Sequence, residues 1–175
     1  MNKNIVLKFT SITLKVFRVL IAVLFICSLI LGLAAFGIDE YESGIFFENG
    51  EVIFNKDSDK MSMNEYARQM PLRFIFTLIQ NLALLFYLYK ITGELSSVIK
   101  SINSLKTFTS ENILAFKNIS LYAIIIFGIQ SIIISPDKIS FIVHFSTLVG
   151  SALAFILSEV FKEGQKLLEE NELTV

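Results

Sequence analysis

Apolar positions fall in four near-continuous runs, residues 16–36, 72–91, 119–135 and 139–161, and the polar residues are gathered between them. Each run approaches the roughly 20 residues that a helix needs to cross a hydrocarbon core of about 30 Å. The pattern predicts an all-α integral membrane protein: one membrane domain over residues 1–175, built as a four-transmembrane-helix bundle. Residues 37–70 form an outer loop, 92–118 a crossover and 162–175 a tail.

The outer loop contains Ile45 to Phe54, in which Asn49 and Gly50 separate two apolar runs. This is the sequence signal for a type I′ hairpin, pairing Phe47 with Val52, Phe46 with Ile53 and Ile45 with Phe54. The ribbon is apolar on both faces and needs cover, either as a lid on its own bundle or as a sensing surface. Residues 93–105 place Leu95, Val98, Ile99, Ile102 and Leu105 at helical spacing opposite serines and Lys100, an amphipathic crossover helix. It either lies on the membrane or bundle, or presents its stripe to a cytosolic protein. Thr109 suits an N-cap, with Glu111 and Asn112 in the first turn, so the third helix begins at Ser110 and runs to the Ser135-Pro136 breaker.

Charge orients this plan. Ten of the 15 lysines and arginines fall in the N-terminal segment, the crossover and the tail or, as Arg18 and Lys90, at the adjoining ends of the first two spans, whereas the outer loop holds eight acids against Lys56, Lys60 and Arg68. Both termini and the crossover are therefore expected in the cytoplasm, with the hairpin loop extracytoplasmic, in a cytoplasmic (inner) membrane. At 54% hydrophobic residues and a mean hydropathy of +0.66 the chain is too apolar for a soluble domain of this size. The apolar run from Val19 exceeds the core of a cleaved signal, and Phe25 and Ile26 are too bulky for a lipoprotein site at Cys27.

Candidate chemistry is sparse. One cysteine, one histidine and no paired intramembrane acids leave nothing for acid–base work, a metal or a cofactor, so no catalytic residue is assigned and no enzyme is expected. Thr77, Gln80, Asn81, Gln130 and His144 form a candidate polar cluster, with Gln130 and His144 each about five residues from the outer end of its span. Such groups either join helices by hydrogen bonds or line a substrate path. Small residues at Ser28 and Gly32, and at Ser146, Gly150, Ala154 and Ser158, suit close helix packing. In the tail, Leu167, Leu168 and Leu173 stand among Glu163, Glu169, Glu170 and Glu172, with Gly164 as a joint. Together with Phe108, Glu111, Asn112, Thr174 and Val175 they are candidates to dock a partner, or else the tail folds back on the crossover.

Phe108 to Ile113, then Phe116 to Ile119, and the tail from Val160 to Gly164 and on through Leu167 to Val175, resemble a family of small bacterial membrane proteins of unknown function, the YoaS-like group. Thr107 stands where that family often has proline. The resemblance implies a four-span protein encoded beside a small helix-turn-helix regulator. Its partners would then be the lipid bilayer and that cytosolic regulator, with no direct nucleic-acid contact; a second copy of the chain is the other open choice. The expected function is a membrane sensor or sequestering partner of a transcription regulator, with a small transporter or self-protection (immunity) protein as the alternative.

Overall fold

The computed structural model describes residues 3–37, 46–48, 51–53, 63–135 and 138–172. The protein is mostly helical, and four of its helices are long and apolar enough to cross a membrane. The elements are α1 (Lys3–Gly37), β1 (Phe46–Glu48), β2 (Glu51–Ile53), α2 (Met63–Gln69), α3 (Pro71–Asn103), α4 (Ser110–Gln130), β3 (Ile132–Ile134), β4 (Ile139–Phe141) and α5 (Phe145–Glu172).

The four long helices alternate in direction and pack mainly in chain order, α1 on α3, α3 on α4 and α4 on α5. This makes an open bundle. Large apolar side chains along α1, α3 and α5 stay exposed, among them Phe9, Leu33, Phe76 and Phe155. In water such a surface would drive association; lipid tails solvate it at no cost.

Pro71 starts α3 at a position where its missing N–H is not needed, directly after Met70 breaks α2. The crossover helix is not a separate element: residues 93–103 continue α3 without interruption. One glycine costs only about 1 kcal/mol relative to alanine, and the Thr92 hydroxyl donates to the Tyr89 carbonyl within the same helix instead of capping a new one. Helix α3 is therefore 33 residues and α1 35, each about 50 Å at about 1.5 Å per residue, longer than a bilayer with its headgroups.

Two further boundaries differ from the apolar runs. The third helix ends at Gln130, and the fourth begins at Phe145. Between them Ile132, Ile133 and Ile134 pair antiparallel with Phe141, Ser140 and Ile139. Branching at Cβ makes three consecutive isoleucines better strand than helix residues. The outer-loop strands pair Phe46 with Ile53, Phe47 with Val52 and Glu48 with Glu51; the turn at Asn49 and Gly50 and the pair Ile45 with Phe54 lie outside the described residues.

Buried side chains gather at the two ends. Ala35, Met63, Tyr66, Ala67 and Phe74 form a cluster where α1 ends and α3 begins, called here the loop end. Val98, Ala115, Phe116, Ile119 and Ala154 form the other, toward the crossover end.

Candidate functional site

At the loop end, a two-stranded ribbon would leave unpaired backbone carbonyls, which are costly near hydrocarbon. Helix α3 supplies the missing donors. Both amide protons of Gln80 are used, one on Ile129 O at 2.7 Å and the other on Ile132 O. The single Thr77 hydroxyl proton is shared between Arg73 O at 3.0 Å and Ile134 O at 3.2 Å, and the Tyr66 hydroxyl lies 3.3 Å from the same oxygen. On α5, Thr147 Oγ1 donates to Gln130 Oε1 at 3.0 Å.

Thr77, Gln80 and Gln130 thus come together around the end of α4. They form a latch that holds β3 and β4. Asn81 is exposed. His144 lies just before α5, not inside a span, and its carbonyl accepts from the Thr147 amide at 3.1 Å. The depth expected for His144 and Gln130 is corrected accordingly, because β3 and β4 occupy the residues that the apolar runs assigned to helix. Ser135 Oγ is buried with no hydrogen-bond partner among the described residues.

The small-residue positions divide. Gly32 is buried so close to α3 that a Cβ there would lie 2.6 Å from Leu78 Cδ1, with Ser28 half-buried one turn before it. On α5, Ala154 and Ser158 face α4, but Ser146 and Gly150 are exposed. A four-residue repeat drifts around a helix of 3.6 residues per turn, so positions 146 and 158 end up about 120° apart. The contacting stripe is Thr147, Ser151, Ala154 and Ser158 instead, spaced as i, i+4, i+7 and i+11. Ser151 Oγ donates to Ser120 O at 3.0 Å. Heptad-like spacing was the signal available for it.

At the crossover end the C-terminus of α3 closes in a Schellman motif. The Leu105 amide donates to Ile102 O and the Lys106 amide to Ser101 O, at 3.2 and 3.1 Å. Leu105 takes the left-handed position at φ 62°, a place that favours glycine, and it is 85% exposed. Thr109 caps α4, its hydroxyl accepting from the Asn112 amide at 3.4 Å. Asn112 is 2% exposed, and its Nδ2 protons are shared among Ser101 Oγ (3.0 Å), Lys106 O (3.2 Å) and Thr107 O (2.7 Å).

This corrects the assignment of Asn112 as a docking residue: its amide is consumed in tying the crossover to both helices. Phe108 is 37% exposed, yet its ring packs 5.3 Å from Phe161 and so close to Gly164 that a Cβ there would lie 2.5 Å from Phe108 Cδ1. Gly164 is therefore a point of close approach within a continuous α5, not a joint. Phe116 completes the stack, 4.8 Å from Phe161. Glu111, Leu167 and Leu168 remain exposed; Leu173, Thr174 and Val175 lie outside the described residues. Phe108 and Leu167 line one open groove of about 630 Å³ together with Glu159 and Glu163.

Asn118 Nδ2, donating to Glu94 Oε1 at 3.0 Å, adds a polar tie between α4 and α3. The crossover end is thus a clasped junction of three helices that leaves Leu105, Leu167 and Leu168 outward. Comparison with known protein families, curated proteins and solved structures returns no match, so function rests on the chain's own residues.

Proposed function

We propose that this is a non-enzymatic multi-pass protein of the cytoplasmic membrane, with both termini and the crossover in the cytoplasm, that senses a stimulus and holds a cytosolic transcription regulator at its crossover end. The extracytoplasmic loop carries β1 and β2, and the acidic tail of α5 meets the regulator. The observation that supports this reading best is the continuity of α5 from Phe145 to Glu172 with Phe108 seated on Gly164. A helix without a joint carries a tilt or rotation made in the membrane to the residues beyond it, including the exposed Leu167 and Leu168. Leucines exposed beside Glu163, Glu169 and Glu170 suit a partner with an apolar patch in a basic surround.

A DNA-binding domain is basic where it meets phosphate, so an acidic tail competes with DNA for it, and more strongly at low salt. The test is co-purification with the helix-turn-helix regulator that the resemblance implies, for the full chain and for one lacking residues 169–175, at low and moderate salt. Salt-sensitive recovery by the full chain alone is expected. Equal recovery from both chains removes the tail from the mechanism; no recovery from either removes the regulator. Sidedness is checked with single cysteines at Asn4, Asp57, Ser104 and Asn171 on a Cys27→Ser background: an impermeant reagent should label intact cells only at Asp57, and labelling at Ser104 overturns the orientation.

A further inference from the structure

Near the crossover end, α1 and α3 separate to leave a groove of about 750 Å³ that receives Lys8 and Lys15 from one helix and Lys100 from the other. None of the lining residues is acidic. Ser11, Ser96 and Asn103 add uncharged donors between the lysines, and Ile12 and Ile99 give part of the lining an apolar character. Three lysines and no acid along one groove make its potential positive, which favours an anion there.

The same seam continues toward the membrane interior. Arg18, one turn beyond Lys15, stands 4.3 Å over the Tyr89 ring and within 3.6 Å of where a Gly93 Cβ would be. Beyond it lies a wholly apolar crevice of about 300 Å³ between Ile21, Phe25, Leu85 and Phe86. The middle of the groove and the middle of the crevice lie about 13 residues apart on either helix, roughly 19 Å at about 1.5 Å per residue. One leaflet of hydrocarbon is about 15 Å deep.

We propose that the α1–α3 seam binds an anionic phospholipid, its headgroup phosphate among Lys8, Lys15 and Lys100 and one acyl chain in the crevice. The proposal rests on the membrane reading above. It adds a ligand class, and it offers bilayer composition as something this protein can register. A free phosphate compound shares the groove's charge chemistry but has no use for an apolar crevice one leaflet away. That difference separates the two sources.

The experiment uses the full chain in nanodiscs of phosphatidylcholine and of phosphatidylcholine mixed with phosphatidylglycerol, reading thermal stability and the lipid retained in native mass spectrometry. Phosphatidylglycerol should raise the melting temperature of the parent and be retained in preference to phosphatidylcholine. Lys8→Gln/Lys15→Gln/Lys100→Gln should weaken that preference about tenfold or more, given the contribution of each basic residue near an anionic surface. Lys162→Gln/Lys166→Gln, on α5 away from the seam, should leave it unchanged.

Ala22→Phe, which fills the crevice, should also reduce retention. Equal retention by the triple variant and the parent overturns the proposal. So does a preference equally weakened by the α5 pair, which would mean net charge alone. Inorganic pyrophosphate that stabilises the parent in pure phosphatidylcholine discs, with Ala22→Phe behaving as the parent, replaces the lipid by a soluble phosphate compound. Release of the parent chain from carbonate-washed membranes is the separate result that sinks the membrane reading itself.

Discussion

The two ends of the helix row solve one problem, the unpaired backbone groups where helices stop, in different ways. At the loop end the chain leaves α4 as strand, and single side chains of α3, Gln80 and Thr77, reach across to its carbonyls. At the crossover end the chain turns between two helices, and one buried amide, Asn112, serves three oxygens of the turn while an aromatic stack of Phe108, Phe116 and Phe161 seals it against α5. At the loop end an apolar cluster around Tyr66 and Phe74 joins α1, α2 and α3, while the β3–β4 corner beside it is held by separable hydrogen bonds; the crossover end combines a buried network with apolar packing at one place. The expected consequence is that the β3–β4 corner yields first and the crossover end moves as a unit with α5.

Asn112→Ala tests that ranking most severely. It deletes a side chain that is itself buried, takes the donor from Thr107 O and leaves Lys106 O only the Ser101 hydroxyl, and a loss of about 2 to 3 kcal/mol is expected from thermal unfolding in detergent. Gln80→Ala removes two bonds at a partly exposed site and should cost less, about 1 to 2 kcal/mol, with faster hydrogen exchange confined to residues 131–142. If Gln80→Ala proves the costlier, the ranking of the two ends is reversed.

Glycines sharpen the same comparison. Gly164→Ala drives a methyl into the Phe108 ring, and the overpacking, less what alanine returns in helix propensity, should leave a net loss of about 1 kcal/mol that Phe108→Ala relieves in the double variant. Gly150→Ala meets open space, and there the sign should reverse to a gain below about 1 kcal/mol. A melting temperature raised by both variants would mean that Phe108 does not hold α5. The smallest effect is expected at Leu105→Gly, where release from φ 62° should stabilise the turn by about 1 kcal/mol or less, partly offset by glycine's larger unfolded-state entropy. Any weaker recovery of the proposed regulator by that variant would then report the lost leucine side chain and not a damaged fold.

The candidate polar cluster was legible as a set of residue types, yet its purpose was not. Gln80 and Gln130 stand out in any reading because amides in an apolar run need partners. The partners of Gln80 are the carbonyls of Ile129, at the end of α4, and Ile132, at the start of β3, and that of Gln130 is Thr147 on α5; nothing local to either amide announces them. Asn112 shows the converse: its place in the first turn of a helix is visible, but that it is buried depends on Ser101 and Thr107 closing over it. Lys8, Lys15 and Lys100 attracted notice only as charge, since their shared groove joins residues more than 80 positions apart along the chain.

Four long apolar runs, the cap at Thr109 and the pairing of Phe46 with Ile53 about an Asn-Gly centre were decided by sequence alone, because each depends on residues within a few positions of one another. Which face of each helix meets another was decided only by the tertiary structure. Hydrophobic periodicity marks the inward face when the other side is water; when the other side is lipid, both faces are apolar and the contrast vanishes. That is why Ser151 and Thr147, not Ser146 and Gly150, line the α4–α5 seam, and why Gly164, which reads as a joint, is the place where α5 is held.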